Sequence, residues 1–102
     1  MVPFAGYLMP VSYEGINAEH EAVRNKVGVF DVSHMGQIQW HGKDAVKFIE
    51  NMVVGDIASL QKGQAKLSLI MNETGGIVDD TVISNAGDFI YMVVNGGCKV
   101  CK

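Results

Sequence analysis

The chain has 102 residues, 48% hydrophobic and 19% charged, with a formal net charge of -3 at pH 7. That length supports one small core, and the balance lies in the ordinary globular range, away from disordered or collagen-like composition. It leaves no basic stripe to neutralise phosphates, so nucleic acid is not an expected partner, and no apolar run approaches the roughly 18 residues of a membrane-spanning helix.

The first residues lack the basic-then-apolar pattern of a signal or transit peptide, and the chain reads as soluble and intracellular. Met1 to Tyr13 mixes apolar residues with Pro3, Gly6 and Pro10, which suits an irregular edge strand. Ile16 to Val27 reads as a short helix, with Asn17 as its cap, Glu19 and Glu21 near its positive end, Arg24 and Lys26 near the other, and Gly28 as its stop. Val29 to Met35 (VFDVSHM) is rich in β-branched and aromatic residues, and Gln37 to His41 resumes extended character, giving one bent strand or two. From Lys43 to Met52 the residues Ala45, Phe48, Ile49 and Met52 fall at i, i+3, i+4 and i+7, the stripe of a helix.

Val53 to Lys62 reads as a loop. Ala65 to Met71, Ile77 to Ser84 and Phe89 to Asn95 then read as three strands joined by the turn sequences Asn72–Gly76 and Asn85–Asp88, an antiparallel meander. The fold class is α+β, a mainly antiparallel sheet with two short helices. No third helix follows to cover the meander's second face, which points to an incomplete unit.

Asp79 and Asp80 interrupt the apolar strand Ile77–Ile83, and strand alternation sends them to opposite faces, so they cannot serve one substrate as a paired acid and base. Asp80, flanked on its own face by Val78 and Val82, needs donors or a ligand if it is buried. The plainer reading is that both carboxylates cap turns or face water. Asp31, Ser33 and His34 are close in sequence, but in an extended run His34 points away from the other two, which favours a polar network over a catalytic triad. Met35 on its own reads as core filler. Cys98 and Cys101 form a C-x-x-C that supplies only two of the four ligands a structural zinc needs, and incidental thiols are the expectation.

Four stretches together resemble the glycine cleavage T-proteins, the tetrahydrofolate-dependent aminomethyltransferases: Met1–Tyr7 with Met9–Val11, Val29–Gly36 (VFDVSHMG), Asn72–Asp80 (NETGGIVDD) and Tyr91–Asn95 (YMVVN). The resemblance covers nearly the whole chain and the first quarter to third of such a protein. It implies an incomplete portion of a three-domain folate-binding fold. Residues 1–36 would belong to the first folate-binding domain, and 37–102 to part of a second α+β domain.

The implied activity transfers an aminomethyl unit from the lipoyl arm of H-protein to tetrahydrofolate, releasing ammonia, with no metal expected. The resemblance assigns Asp80, the second aspartate of its segment, to the folate chemistry as an electrostatic group, and Met35, Val93 and Asn95 to the folate pocket. Leu67 and Ser84 stand where the family commonly has aromatic rings, and Lys99–Lys102 leaves the family pattern. The family's later arginine, glutamate and aromatic pocket residues, and its C-terminal barrel, would lie beyond Lys102. The implied compartment is the mitochondrial matrix in a eukaryote and the cytoplasm in a bacterium. The alternatives are the folate-binding domains of dimethylglycine or sarcosine oxidising enzymes, the folate-dependent iron-sulfur assembly factors, or a non-enzymatic α+β domain.

Overall fold

The computed structural model describes residues 1–99, and these group into two compact units, one of Met1–His34 and one that begins at Met35. The first unit opens with a two-stranded antiparallel hairpin, β1 (Val2–Phe4) and β2 (Tyr7–Met9), paired from Val2↔Met9 to Phe4↔Tyr7. Its two-residue turn places Ala5 at φ 52° and Gly6 at φ 85°, the left-handed pair that matches the twist of a hairpin. The single irregular strand expected over this stretch is therefore a tight ribbon.

Helix α1 spans Ile16–Asn25. Asn17 lies inside it and is not its cap. Gly15 occupies that position without a side-chain cap, and Glu19 instead reaches back so that Oε2 accepts the N–H groups of Tyr13 at 3.1 Å and Gly15 at 3.2 Å. This meets unpaired donors at the helix start and sets a carboxylate against the positive end of the dipole. The helix stops at Asn25, before Gly28.

Val29 to Met35 does not form a strand. Asp31 Oδ1 accepts the Ser33 N–H at 2.9 Å, closing an Asx turn that the backbone follows through His34, and among the described residues no strand pairs with the segment. Val29 is 99% exposed. High β-propensity without a neighbouring ladder gives no strand, because the propensity reflects packing on a pleated surface.

The second unit holds a four-stranded antiparallel sheet in the order β3-β6-β5-β4, built from β3 (Gly36–Trp40), β4 (Ala65–Met71), β5 (Ile77–Asn85) and β6 (Ile90–Val94). The meander β4-β5-β6 is the expected one, and β3 adds to its far side with Ile38 opposite Met92. Helix α2 (Ala45–Glu50) lies within the expected helical stretch and delivers Ile49, fully buried, to a core with Val53, Ile57, Ile83, Ile90, Met92 and Val94. The segment after α2 lines the outer edge of β4: Met71 N–H donates to Met52 O at 2.9 Å, Val54 N–H to Leu69 O at 3.2 Å, and Ser68 Oγ–H to Val54 O. An edge strand whose polar groups are met in this way offers little template for pairing with another chain.

Alternation sorts the sheet into two faces. Ser68, Ile70, Asp79, Thr81, Ile83, Met92, Val94, Ile38 and Trp40 belong to the face covered by α2 and the loop after it. The other carries Leu67, Leu69, Asp80, Val82, Ser84, Tyr91, Val93, Gln37 and Gln39, and Leu67 on it is 70% exposed. The open second face expected from the sequence is thus present in this unit. Ile83→Ala should remove a fully buried side chain at a cost of about 2–5 kcal/mol, whereas Leu67→Ser should shift stability by no more than about 0.5 kcal/mol. Urea unfolding of both variants checks this, and similar losses at the two positions would contradict the assignment of faces.

Candidate functional site

The turn that introduces the two carboxylates is shaped by Asn72. Its Oδ1 accepts Thr74 N–H at 3.1 Å, Thr74 Oγ–H at 2.9 Å and Gly76 N–H at 2.7 Å, and a Cβ at residue 76 would lie 2.8 Å from Asn72 Nδ2, so a side chain there would push the Asn72 amide out of place. Immediately after it the ladder between β4 and β5 steps from Met71↔Ile77 to Ile70↔Asp79, leaving Val78 as the extra residue of a β-bulge. From Asp79 onward the alternation is regular, with Asp79, Thr81 and Ile83 buried and Asp80 and Val82 exposed.

The row Gly36–Val94–Thr81 is the last that runs across β3, β6 and β5. One residue further along each strand stand Met35, Asn95 and Asp80. A Cβ at Gly36 would meet Val94 Cγ2 at 2.5 Å, so the chain after Met35 approaches β6 as closely as only glycine allows. Met35 is half-buried at this corner. Val93 lies one row back on the open face, directly between Val82 and Gln37, with Leu67 beyond Val82. The four residues assigned from the sequence therefore gather at one end of one sheet.

Past Val94 the ladder gives way to a 3-10 turn, Gly96–Cys98, and a carboxylate takes over the pairing. Asp79, 7% exposed, accepts the Asn95 backbone N–H on Oδ2 at 3.0 Å and the Asn95 Nδ2–H on Oδ1 at 2.8 Å, while Oδ1 also accepts Asp80 N–H at 3.0 Å. The second hydrogen of Asn95 Nδ2 is donated to Asp80 Oδ1. One amide nitrogen thus bridges two carboxylates that the strand sends to opposite faces. This fixes the orientation of the amide, because its oxygen turned toward either carboxylate would repel it, and it leaves Asn95 Oδ1 as the atom directed away from the pair.

Alternation separates the two aspartates as expected, but the buried one is Asp79, and Asp80 lies on the open face. Nothing in the alternation marks Asp79 as the buried one, because its strand is apolar on both faces. Tyr91 is a further neighbour of the site that the motifs do not single out: it shares the open face and donates its hydroxyl hydrogen to Gln37 Oε1 at 2.9 Å, so this face keeps an aromatic ring although Leu67 and Ser84 supply none. The alternation of Ile90–Val94 was the signal for it.

Asp31, Ser33 and His34 form a turn. The Asp31 carboxyl is held below its ordinary pKa, first by the hydrogen bond from the Ser33 hydroxyl and next by the Ser33 N–H. His34 packs edge-on against Phe4 with ring centroids 5.4 Å apart, and its Nδ1 has no hydrogen-bond partner among the described residues. The network is polar and local. A cavity of about 600 Å3 is an apolar groove of the first unit and includes none of Met35, Asp80, Val93 and Asn95. Among the described residues no three histidine, cysteine, aspartate or glutamate side chains stand where they could hold a metal ion. Cys101 and the side chain of Cys98 lie outside what the structure describes, and no described helix is long and apolar enough to cross a membrane.

This is an α+β sheet domain whose open face ends in one carboxylate, Asp80, joined through the Asn95 amide to a second, Asp79, on the buried face. The chain belongs to the GCVT N-terminal domain family, whose model matches residues 1–101. It is 59% identical over 99 residues to the mitochondrial aminomethyltransferase of Dictyostelium discoideum, which covers 96% of this chain and 25% of that protein. With the aminomethyltransferase of Flavobacterium psychrophilum it shares 53% over 102 residues, 100% of this chain and 28% of the relative. The crystal structure of glycine cleavage system aminomethyltransferase T from Bartonella henselae superposes with a TM-score of 0.92 at 35% identity, covering 98% of this chain and 28% of that one. The chain thus spans about a quarter of the length of these relatives.

Two outcomes check the geometry. Asp79→Ala leaves two donors of Asn95 without their acceptor and should cost about 1–3 kcal/mol in urea unfolding. A loss indistinguishable from zero would contradict the pairing. For Asp31 the folded pKa is the depressed one, so its contribution to stability is present above the unfolded value and is lost as pH falls through the folded value. Carbon-13 NMR titration should find its midpoint below that of an ordinary aspartate and find it raised in Ser33→Ala; a midpoint that does not move would overturn the hydroxyl contact.

Proposed function

We propose that this chain supplies the folate-facing sheet of a glycine cleavage aminomethyltransferase, which moves the aminomethyl unit carried on the lipoyl arm of H-protein to tetrahydrofolate with release of ammonia. The convergence of Met35, Asp80 and Asn95 at one end of the sheet, beside the open face that carries Val93, supports the reading. On it, the Asp80 carboxylate orients the folate and offsets positive charge as it develops on the one-carbon unit, the largest kind of contribution a fixed charge makes to a transfer reaction. Met35 and Val93 line the pocket with apolar surface. Asn95 holds the carboxylate in place through Nδ2 and offers Oδ1 as an acceptor.

Tetrahydrofolate and lipoylated H-protein are the partners this reading requires, with the mitochondrial matrix of a eukaryote or the cytoplasm of a bacterium as the compartment. The names of the relatives favour it over the dimethylglycine and sarcosine oxidising enzymes. A second reading rests on a specific observation: Asp79 is the buried carboxylate and accepts hydrogen bonds from Asn95 and Asp80, so the electrostatic role can belong to Asp79, with Asp80 at the rim.

The test is Asp80→Asn beside Asp79→Asn in a full-length protein that contains this chain. The first reading expects Asp80→Asn to lower kcat by about 10²–10³ with little change in Tm, and Asp79→Asn mainly to lower Tm. The reverse pattern moves the role to Asp79, and full activity in both variants sinks the proposal. Purified alone, residues 1–102 should give no aminomethyl transfer with H-protein and tetrahydrofolate, because a single open sheet face excludes too little water for such chemistry; turnover by the isolated chain would contradict an incomplete pocket.

A further inference from the structure

Asn95 is followed by Gly96, the only Asn-Gly pair in the sequence. Glycine places no Cβ beside its own nitrogen and resists backbone rotation least. In that context the nitrogen of the second residue reaches the side-chain carbonyl carbon of the first most readily. The structure sets this reactive pair where both amide hydrogens of Asn95 are committed, one to Asp79 Oδ1 at 2.8 Å and the other to Asp80 Oδ1. The Asn95 N–H is held by Asp79 Oδ2 at 3.0 Å, and the residue is extended, with φ -68° and ψ 145°. Gly96 opens the 3-10 turn, its carbonyl accepting the Lys99 N–H at 3.3 Å.

We propose that Asn95–Gly96 is a latent deamidation site held shut by Asp79 and Asp80, so that loosening of this corner becomes a permanent covalent change. In the reaction the Gly96 nitrogen loses its proton and bonds to Asn95 Cγ. The Cγ–Nδ2 bond breaks, and Nδ2 leaves as ammonia after gaining a proton. Water then opens the resulting succinimide at either carbonyl, giving aspartate or isoaspartate, with nothing oxidised or reduced. Closing the five-membered ring requires ψ of Asn95 to leave its extended value and the side chain to turn. Either motion breaks contacts with the two carboxylates, and ionised carboxylates have no proton to give the leaving nitrogen.

The product differs in kind from the reactant. An acid at residue 95 replaces the bridging donor by an acceptor and sets a third negative charge beside Asp79 and Asp80, where like charges disfavour one another. Isoaspartate also adds a methylene to the backbone directly after β6. The corner cannot re-form once converted. The hydrogen bonds of Asn95 protect this pair whether or not folate binds beside it.

The experiment incubates the 102-residue protein at mildly alkaline pH, natively and in urea, and follows the peptide containing Asn95 by mass spectrometry. Native conversion should be at least about tenfold slower than in urea, the factor set by about 1.4 kcal/mol of contact energy. Asp80→Ala, whose side chain is exposed, should speed native conversion several-fold with its far-UV circular dichroism unchanged, and Asp79→Ala should do so more strongly where it keeps that spectrum. Gly96→Ala should slow conversion in urea. Equal native and denatured rates would overturn the proposal, as would a folded Asp80→Ala that converts at the native rate. A Gly96→Ala chain that converts as fast as the parent in urea would remove Gly96 as the nucleophile and overturn it too.

Discussion

A buried carboxylate at the point where two strands part is the constraint on which the rest of this corner depends. A backbone N–H that leaves a ladder must find another acceptor, and an interior carboxylate must find donors. Asp79 and Asn95 meet both requirements at once: the side chain on β5 takes the N–H that β6 no longer pairs, and the Asn95 amide fills a further lone pair. The second hydrogen of that amide then reaches Asp80. The orientation of the exposed carboxylate is thus set from inside the sheet.

That arrangement explains why the open face ends where it does. The Asn72 turn and the bulge at Val78 fix the step at which β5 enters the sheet, and the close approach at Gly36 fixes β3 against Val94. With those two strands held, the residues one step beyond the row Gly36–Val94–Thr81 are brought together from three separate parts of the sequence. The same row separates two environments. On one side Thr81 donates its hydroxyl hydrogen to Val93 O at 2.7 Å in the core, and on the other Val82 and Leu67 face outward. A ligand on this face would meet apolar side chains in the middle and charge only at the end.

Much of this was legible in the sequence. Ala65–Met71 is bounded by turn-forming residues and matches its strand to the residue, and the stripe Ala45, Phe48, Ile49 and Met52 marks the helix whose Ile49 reaches the core. The open face followed from a meander with no helix left to cover it. Alternation revealed that Asp79 and Asp80 face opposite ways but not which face α2 covers, since Val78 and Val82 are as apolar as Ile77 and Ile83. That choice depends on the path of the chain through Val53 and Ile57, a long-range matter. Val29–Met35 failed for a related reason: propensity is local, and the partner strand it presupposes does not exist among the described residues. Asn17 has the side chain of a cap, but the helix starts before it, at Ile16, with the Gly15 N–H met by Glu19.

One asparagine amide is shared by two carboxylates, and everything at this corner depends on it. Its most direct measurement is hydrogen exchange of the Asn95 side-chain amide in a nitrogen-15-labelled sample at neutral pH. Both Nδ2 hydrogens should exchange far more slowly than those of an asparagine in the unfolded chain, and one alone should become fast in Asp80→Ala. Two hydrogens that exchange as fast as in the unfolded chain would show that the bridge does not exist.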